Sequence, residues 1–322
     1  MKRKTGAILL AFFFGIGLLG SVAYGKDWPN KTIKLAIGYG AGGSTDTVSR
    51  FLANKLEQQL GVPVICENKP GGGGTVAAAL ASTQKPDGNF LFTFVTAPAF
   101  LTPHQQNVPF NPLEDFTVIA RVAKWHYALL VKTDAPWKSL DEFITYAKAN
   151  PGKISYGVSG VGNPQDLVME YLKQTEGIEW KKIPYSNGPE AIAATLGGHV
   201  SSMVGVAEWV PQVKEGALRL LAVFDEERMS AYPDVPTLKE LGFDISAPSL
   251  YSIAAPKGLS KDKLDKLESA IKKAYDSPDF QSLLDKMYMI PAFMGNKEIT
   301  PIIKETYYKM GKIIKDSGLG KK

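Results

Sequence analysis

Sulfur ligands and imidazoles are scarce in this 322-residue chain, which has one cysteine, Cys66, and three histidines, His104, His126 and His199. A lone cysteine excludes an intramolecular disulfide and a thiolate zinc site. The histidines are far apart and none stands in an H-E-x-x-H pattern, so the sequence offers no catalytic metal centre. A large excess of one charge is also lacking. Lys and Arg number 37 against 32 Asp and Glu, a net +5, and losing Lys2, Arg3 and Lys4 with a leader leaves 34 against 32, or +2. That is too little to mark a nucleic-acid binder. Beyond the N-terminus there is no apolar run of membrane-spanning length, no internal repeat and no low-complexity tract. What remains is ordinary globular composition, 44% hydrophobic and 21% charged, in a length that suits two domains.

The first residues read as an export signal. Met1-Lys-Arg-Lys4 is a basic start, Gly6 to Ala23 is apolar, and Ala23-Tyr24-Gly25 places small residues where signal peptidase needs them. Cleavage after Gly25 is expected, and an uncleaved anchor is the alternative. No cysteine stands at the cleavage point, so a lipid anchor there has no acceptor. The mature protein is expected in a periplasm, or secreted.

After the leader, short strands and helices alternate. Lys31 to Ile37, Val62 to Cys66 and Asn89 to Val95 read as strands, with helices over Ser44 to Leu60 and Thr75 to Ser82 between them. The pattern restarts at Tyr127: strands at 127–131, 154–158, 181–184, 200–206 and 218–223 enclose helices at 139–149, 164–176, 189–196 and 210–215. A late strand, Tyr251 to Ala255, precedes amphipathic helices over 261–275, 278–287 and 300–315. The reading is α/β with a mainly parallel sheet, in two units: 27–124 plus 250–322, and 125–249.

Three helices begin at glycine-marked turns. Gly38-Tyr-Gly-Ala-Gly-Gly43 matches G-x-G-x-x-G between a strand and a helix, with the acid Glu67 after the next strand, as a dinucleotide site requires. No catalytic His, Lys or Tyr constellation accompanies it, so no cofactor is assigned. Such a turn also presents free helix N–H groups to an anion, with glycines that permit close approach. Asp46 falls in the first turn with Arg50 four residues on, so a cap and ion pair explain it as well as ligand contact does. Ser159 to Asp166 is the second start, with Asn163 as cap, Pro164 at the first helical position and Asp166 where a capping box wants its acid. The esterase pattern G-x-S-x-G fails there, because Gly157-Val-Ser-Gly-Val161 ends in valine. Tyr185-Ser-Asn-Gly-Pro-Glu190 is the third, capped by Asn187 or Gly188.

In order along the chain, Ile37-Gly-Tyr-Gly-Ala-Gly-Gly-Ser-Thr-Asp46, Glu67-Asn-Lys-Pro-Gly-Gly72, Lys85-Pro-Asp-Gly88, Ala147 to Lys153, Pro184-Tyr185, Leu196-Gly-Gly198, Gly216 to Val223 and Pro233 to Thr237 resemble the substrate-binding proteins of tripartite tricarboxylate transporters, the Bug family. The resemblance covers essentially the whole mature chain. It implies a type II periplasmic binding protein fold with two α/β domains and a ligand cleft between them. It also implies capture of a small organic carboxylate, di- or tricarboxylate, and its delivery by a monomer to the transporter's membrane components. The ligand-binding set it implies is Tyr39, Ala41, Gly42, Gly43, Ser44, Thr45, Asp46, Ala97, Ser159, Gly160, Val161, Gly162, Asn163, Tyr185, Asn187, Ala207 and Glu208. Where many members have Ser-Ser-His in the second turn, this chain has Asn163-Pro-Gln165, and neither cradle contains Arg or Lys. An exported α/β hydrolase or dinucleotide-dependent oxidoreductase is the alternative, without a nucleophile and base to carry it.

The intact mass of the exported protein is expected to correspond to a chain starting near Lys26. A mass that retains Met1 to Gly25 rejects cleavage.

Overall fold

The computed structural model describes residues 28–316 and 318–321. The expected leader lies outside the described residues. The first run comprises β1 (Ile33–Ile37), α1 (Ser44–Leu60), β2 (Val64–Asn68), α2 (Thr75–Ser82), β3 (Phe90–Val95), a π-helical turn (Ala97–Leu101), α3 (Thr102–Gln105) and β4 (Phe116–Trp125). The second comprises β5 (Tyr127–Lys132), α4 (Leu140–Ala149), β6 (Ser155–Ser159), α5 (Pro164–Glu176), β7 (Lys181–Tyr185), α6 (Gly188–Leu196), β8 (Ser202–Val206), α7 (Val210–Lys214) and β9 (Leu218–Val223). The chain then returns through β10 (Tyr251–Pro256), α8 (Lys261–Tyr275), α9 (Pro278–Lys286), β11 (Met289–Gly295) and α10 (Asn296–Asp316).

Two sheets result, one in the order β11-β4-β10-β3-β1-β2 and one in the order β7-β6-β8-β5-β9. Strand β1 runs parallel to β2 and β3, and β6 runs parallel to β7 and β8, as helical crossovers require. The remaining pairs are antiparallel, so the expectation of a mainly parallel sheet is corrected. The reason is connectivity. Strand β10 comes back from the second unit and inserts between β3 and β4 against the direction of both. Strands β4 and β11 were not anticipated. Arg121 and Lys124 interrupt the apolar pattern of β4, and Pro291 and Gly295 punctuate β11. At the sheet edge that β11 occupies, a proline leaves no ladder bond missing.

Each sheet buries aromatic and branched residues against its helices. In the first, Phe92, Phe94 and Phe116 pack with ring centroids 4.9–5.6 Å apart. Burying each such side chain stabilises the fold by about 1.5–3 kcal/mol. In the second, Trp209 is fully buried with Val210, Ala191 and Met203. Only His126 separates β4 from β5, and residues 224–250 make the return. The two crossings lie side by side: the Phe224 N–H donates to the Tyr127 carbonyl at 2.8 Å, and His126 Nδ1 donates to Asp225 Oδ2 at 2.7 Å. No helix among the described residues is long and apolar enough to cross a membrane.

Candidate functional site

Three helices from the two sheets point their first turns into one cleft. It is lined by Gly43, Ser44 and Thr45 at the start of α1, by Ser159, Pro164 and Gln165 around the start of α5, and by Ser186, Asn187 and Gly188 at the start of α6. Tyr39, Gly40, Val95, Thr96, Trp125, Tyr127, Val206 and Glu208 complete the lining. The empty volume, including open solvent at the mouth, is about 550 Å³. Among the described residues, no Lys, Arg or His lines the cleft, and Glu208 is the one carboxylate in its lining. Burial pushes the Tyr39 and Tyr127 phenols up from their ordinary value, so both stay neutral hydroxyls.

The three helix starts are built differently. Asn163 and Asn187 cap α5 and α6, their side chains accepting from the Asp166 and Glu190 N–H at 3.2 and 2.9 Å. In α5, Asp166 does not close the expected box on the cap's own N–H. It accepts from the Gly162 N–H at 2.8 Å, from Tyr156 Oη at 2.9 Å and from Lys182 Nζ at 2.9 Å. Helix α1 has Gly43 at its cap position and no side-chain cap of its own. Its Ser44 N–H donates instead to Glu208 Oε1, 2.8 Å away across the cleft. Trp125 Nε1 donates to Ser44 Oγ at 3.2 Å and holds that hydroxyl from the β4 side.

Seven of the expected residues line this cleft: Tyr39, Gly43, Ser44, Thr45, Ser159, Asn187 and Glu208. The others take supporting places. Ala41 and Gly42 are exposed in the turn before α1, and the Gly42 N–H donates to Asp46 Oδ2 at 3.1 Å. Asp46 is buried and also accepts from Arg50 at 3.0 Å and Asn68 at 2.8 Å, so its oxygens are turned into the fold. Ala97 is buried in the π-helical turn and Ala207 in the second core. The Gly160 N–H donates to the Tyr185 carbonyl at 3.0 Å, Val161 is half exposed, and Tyr185 lies against Gly157. Sequence reasoning missed Trp125, Tyr127, Thr96, Gln165 and Gly188. Trp125 and Tyr127 belong to the unanticipated crossing, whereas Gln165 and Gly188 adjoin turns already singled out and could have been included.

The G-x-G-x-x-G match has a structural cause. A Cβ on Gly38 would stand 2.7 Å from Gly74 Cα, because the turn after β1 packs backbone to backbone on the Gly71–Gly74 turn. Glu67, the acid a ribose would need, pairs with Lys34 at 3.1 Å and Lys69 at 3.2 Å.

Two α/β units with helix N-termini on a shared cleft make the periplasmic binding protein fold, whose neighbours here are solute-binding proteins rather than enzymes. Residues 48–319 match the family described as tripartite tricarboxylate transporter family receptor, and the chain belongs to that family. A UPF0065 protein in the gbd 5′ region of Cupriavidus necator is 39% identical over 318 residues, 99% of this chain and 97% of its own length. The solved periplasmic binding protein BugD is 26% identical with a TM-score of 0.81, over 92% of this chain and 100% of BugD. MatC from Rhodopseudomonas palustris, solved with bound malate, is 24% identical with a TM-score of 0.79, over 89% of this chain and 99% of MatC.

Two outcomes are expected from this geometry. Gly38→Ala should destabilise the fold by about 1–3 kcal/mol through overpacking against Gly74, measured by urea unfolding. Burial works against the charged Asp46, but hydrogen bonds from Arg50, Asn68 and Gly42 outweigh it and hold the carboxyl below its ordinary value. Its stabilisation is complete above the unfolded value of about 3.9 and is lost as pH falls through the lowered folded value. Asp46→Asn should therefore cost about 1.5–3 kcal/mol at pH 7, with the difference from the parent shrinking as urea unfolding is repeated towards pH 3.

Proposed function

We propose that this protein is a periplasmic, monomeric receptor that captures a small organic carboxylate and delivers it to the membrane components of a tripartite tricarboxylate transporter. The observation that carries the reading is the convergence of three helix N-termini on a cleft with no lysine, arginine or histidine in its lining. Free first-turn N–H groups and the helix dipoles favour an anion there without a fixed cation. A micromolar site needs about 8 kcal/mol, and hydrogen bonds to charged groups give roughly 1.5–3 kcal/mol each before association costs. Four to six such contacts therefore suffice. Several turn and first-turn donors are already in use, because the Gly42, Ser44, Gly160, Gly162, Asp166 and Glu190 N–H groups bond within the fold. The remaining first-turn amides, with the Ser44 and Tyr127 hydroxyls, are the contacts this reading assigns, the Tyr39 hydroxyl already donating to the Gly73 carbonyl at 3.2 Å. Malate in MatC supports the ligand class, and the family match supports the transporter partner.

In this reading the units 27–124 plus 250–322 and 125–249 move as bodies about the paired crossings at His126 and Asp225, closing on the ligand. A ligand at one hundred times its Kd should stabilise the folded state by about 2.7 kcal/mol, a rise of several degrees in Tm. The test is thermal shift with mono-, di- and tricarboxylates and aromatic acids, followed by small-angle scattering with the best of them. A rise in Tm with a smaller radius of gyration is expected. No rise with any carboxylate rejects the reading.

A further inference from the structure

The carboxylate of Glu208 stands where a ligand carboxylate would be expected. It starts from the turn after β8 in one unit, and its Oε1 accepts the Ser44 N–H at the mouth of α1 in the other. Its Oε2 lies against the first residue of α6: a Cβ on Gly188 would stand 1.9 Å from that oxygen, so a larger residue there would displace the carboxylate. No cation among the lining residues neutralises it. Of the acids in the first turns of the three helices, Asp46 and Asp166 are paired with Arg50 and Lys182, and Glu190 accepts from the Ser186 N–H of its own turn. Gln165 supplies an independent sign. It lines the cleft, is 2% exposed, and its Oε1 is buried without a hydrogen-bond partner. A buried acceptor of this kind costs stability unless something donates to it.

Glu208, which has one backbone N–H and no cation against it, and the unpaired Gln165 oxygen both have acceptor capacity to spare, and a protonated amine is a compact source of three donors. We infer that Glu208 selects the ligand by charge, and that this cleft takes a carboxylate that also carries a protonated amino group. Resting on the carboxylate reading above, this narrows it. The ligand carboxylate goes to the remaining first-turn N–H groups and its ammonium to Glu208 and Gln165. A di- or tricarboxylate without an amine brings its charge towards Glu208 with nothing to offset the repulsion.

Glu208→Gln separates charge from capping, because its carboxamide oxygen still accepts the Ser44 N–H. Calorimetric titration of the mature parent and the variant with matched pairs, glutamate and glutarate, aspartate and succinate, 4-aminobutyrate and butyrate, is the experiment. At least one amino member should bind the parent ten times or more tighter than its des-amino partner, and Glu208→Gln should bring the two within threefold. The inference is overturned if the parent binds the des-amino members equally well or better. It is overturned equally if the variant keeps the parent's preference, which makes Glu208 a cap and nothing more. Binding of malate or citrate with no amino member bound also overturns it while leaving the carboxylate reading intact. Absence of binding to every carboxylate overturns both. The parent's own preference is read without any variant.

Discussion

Helix α1 begins on glycine with no side chain of its own to cap it, and backbone N–H groups at a helix start require an acceptor. Much of the molecule is arranged around that requirement. The Gly42–Asp46 contact shapes the turn, Asn68 and Arg50 hold Asp46 away from the cleft, and Trp125 holds the Ser44 hydroxyl. The acceptor that does reach the open end, Glu208, comes from the other sheet. Helices α5 and α6 differ because asparagine caps satisfy their first N–H groups locally. The asymmetry leaves α1 as the helix start that depends on what enters the cleft.

The same residues show how a structural role can imitate a chemical motif. The spacing of Gly38, Gly40 and Gly43 meets the dinucleotide pattern, yet Gly38 is small because Gly74 approaches it, and Glu67 is occupied by two lysines on an edge strand. Asp166, expected as the acid of a capping box, serves other partners instead. Its oxygens are taken by Gly162, Tyr156 and Lys182, and Glu170 shares that lysine at 2.9 Å. Acids in helix first turns are favoured by the dipole, so their presence there is no sign of a ligand unless their oxygens are free.

Local chemistry made most elements legible. Helix α2 spans the alanine-rich run, α5 the stretch between its first-position proline and closing glycine, α8 the amphipathic run and β9 a continuous apolar run, each as the residues indicate. Helix α10 starts four residues earlier than expected, at Asn296, which places Pro301 inside the helix, where it has no N–H to offer the Lys297 carbonyl. The strands that escaped notice, β4 and β11, take their stability from neighbours remote in sequence.

By itself the sequence determined most of the segments that fold as helices and strands, where most helices start and stop, and that several starts are anion-friendly. Those properties depend on residues within a turn or two of one another. Tertiary structure alone decided that three starts share one cleft, that β10 returns antiparallel, and that Glu208 meets Ser44 from 164 positions away. Such contacts depend on how two sheets are stacked and crossed, and no local spacing records that.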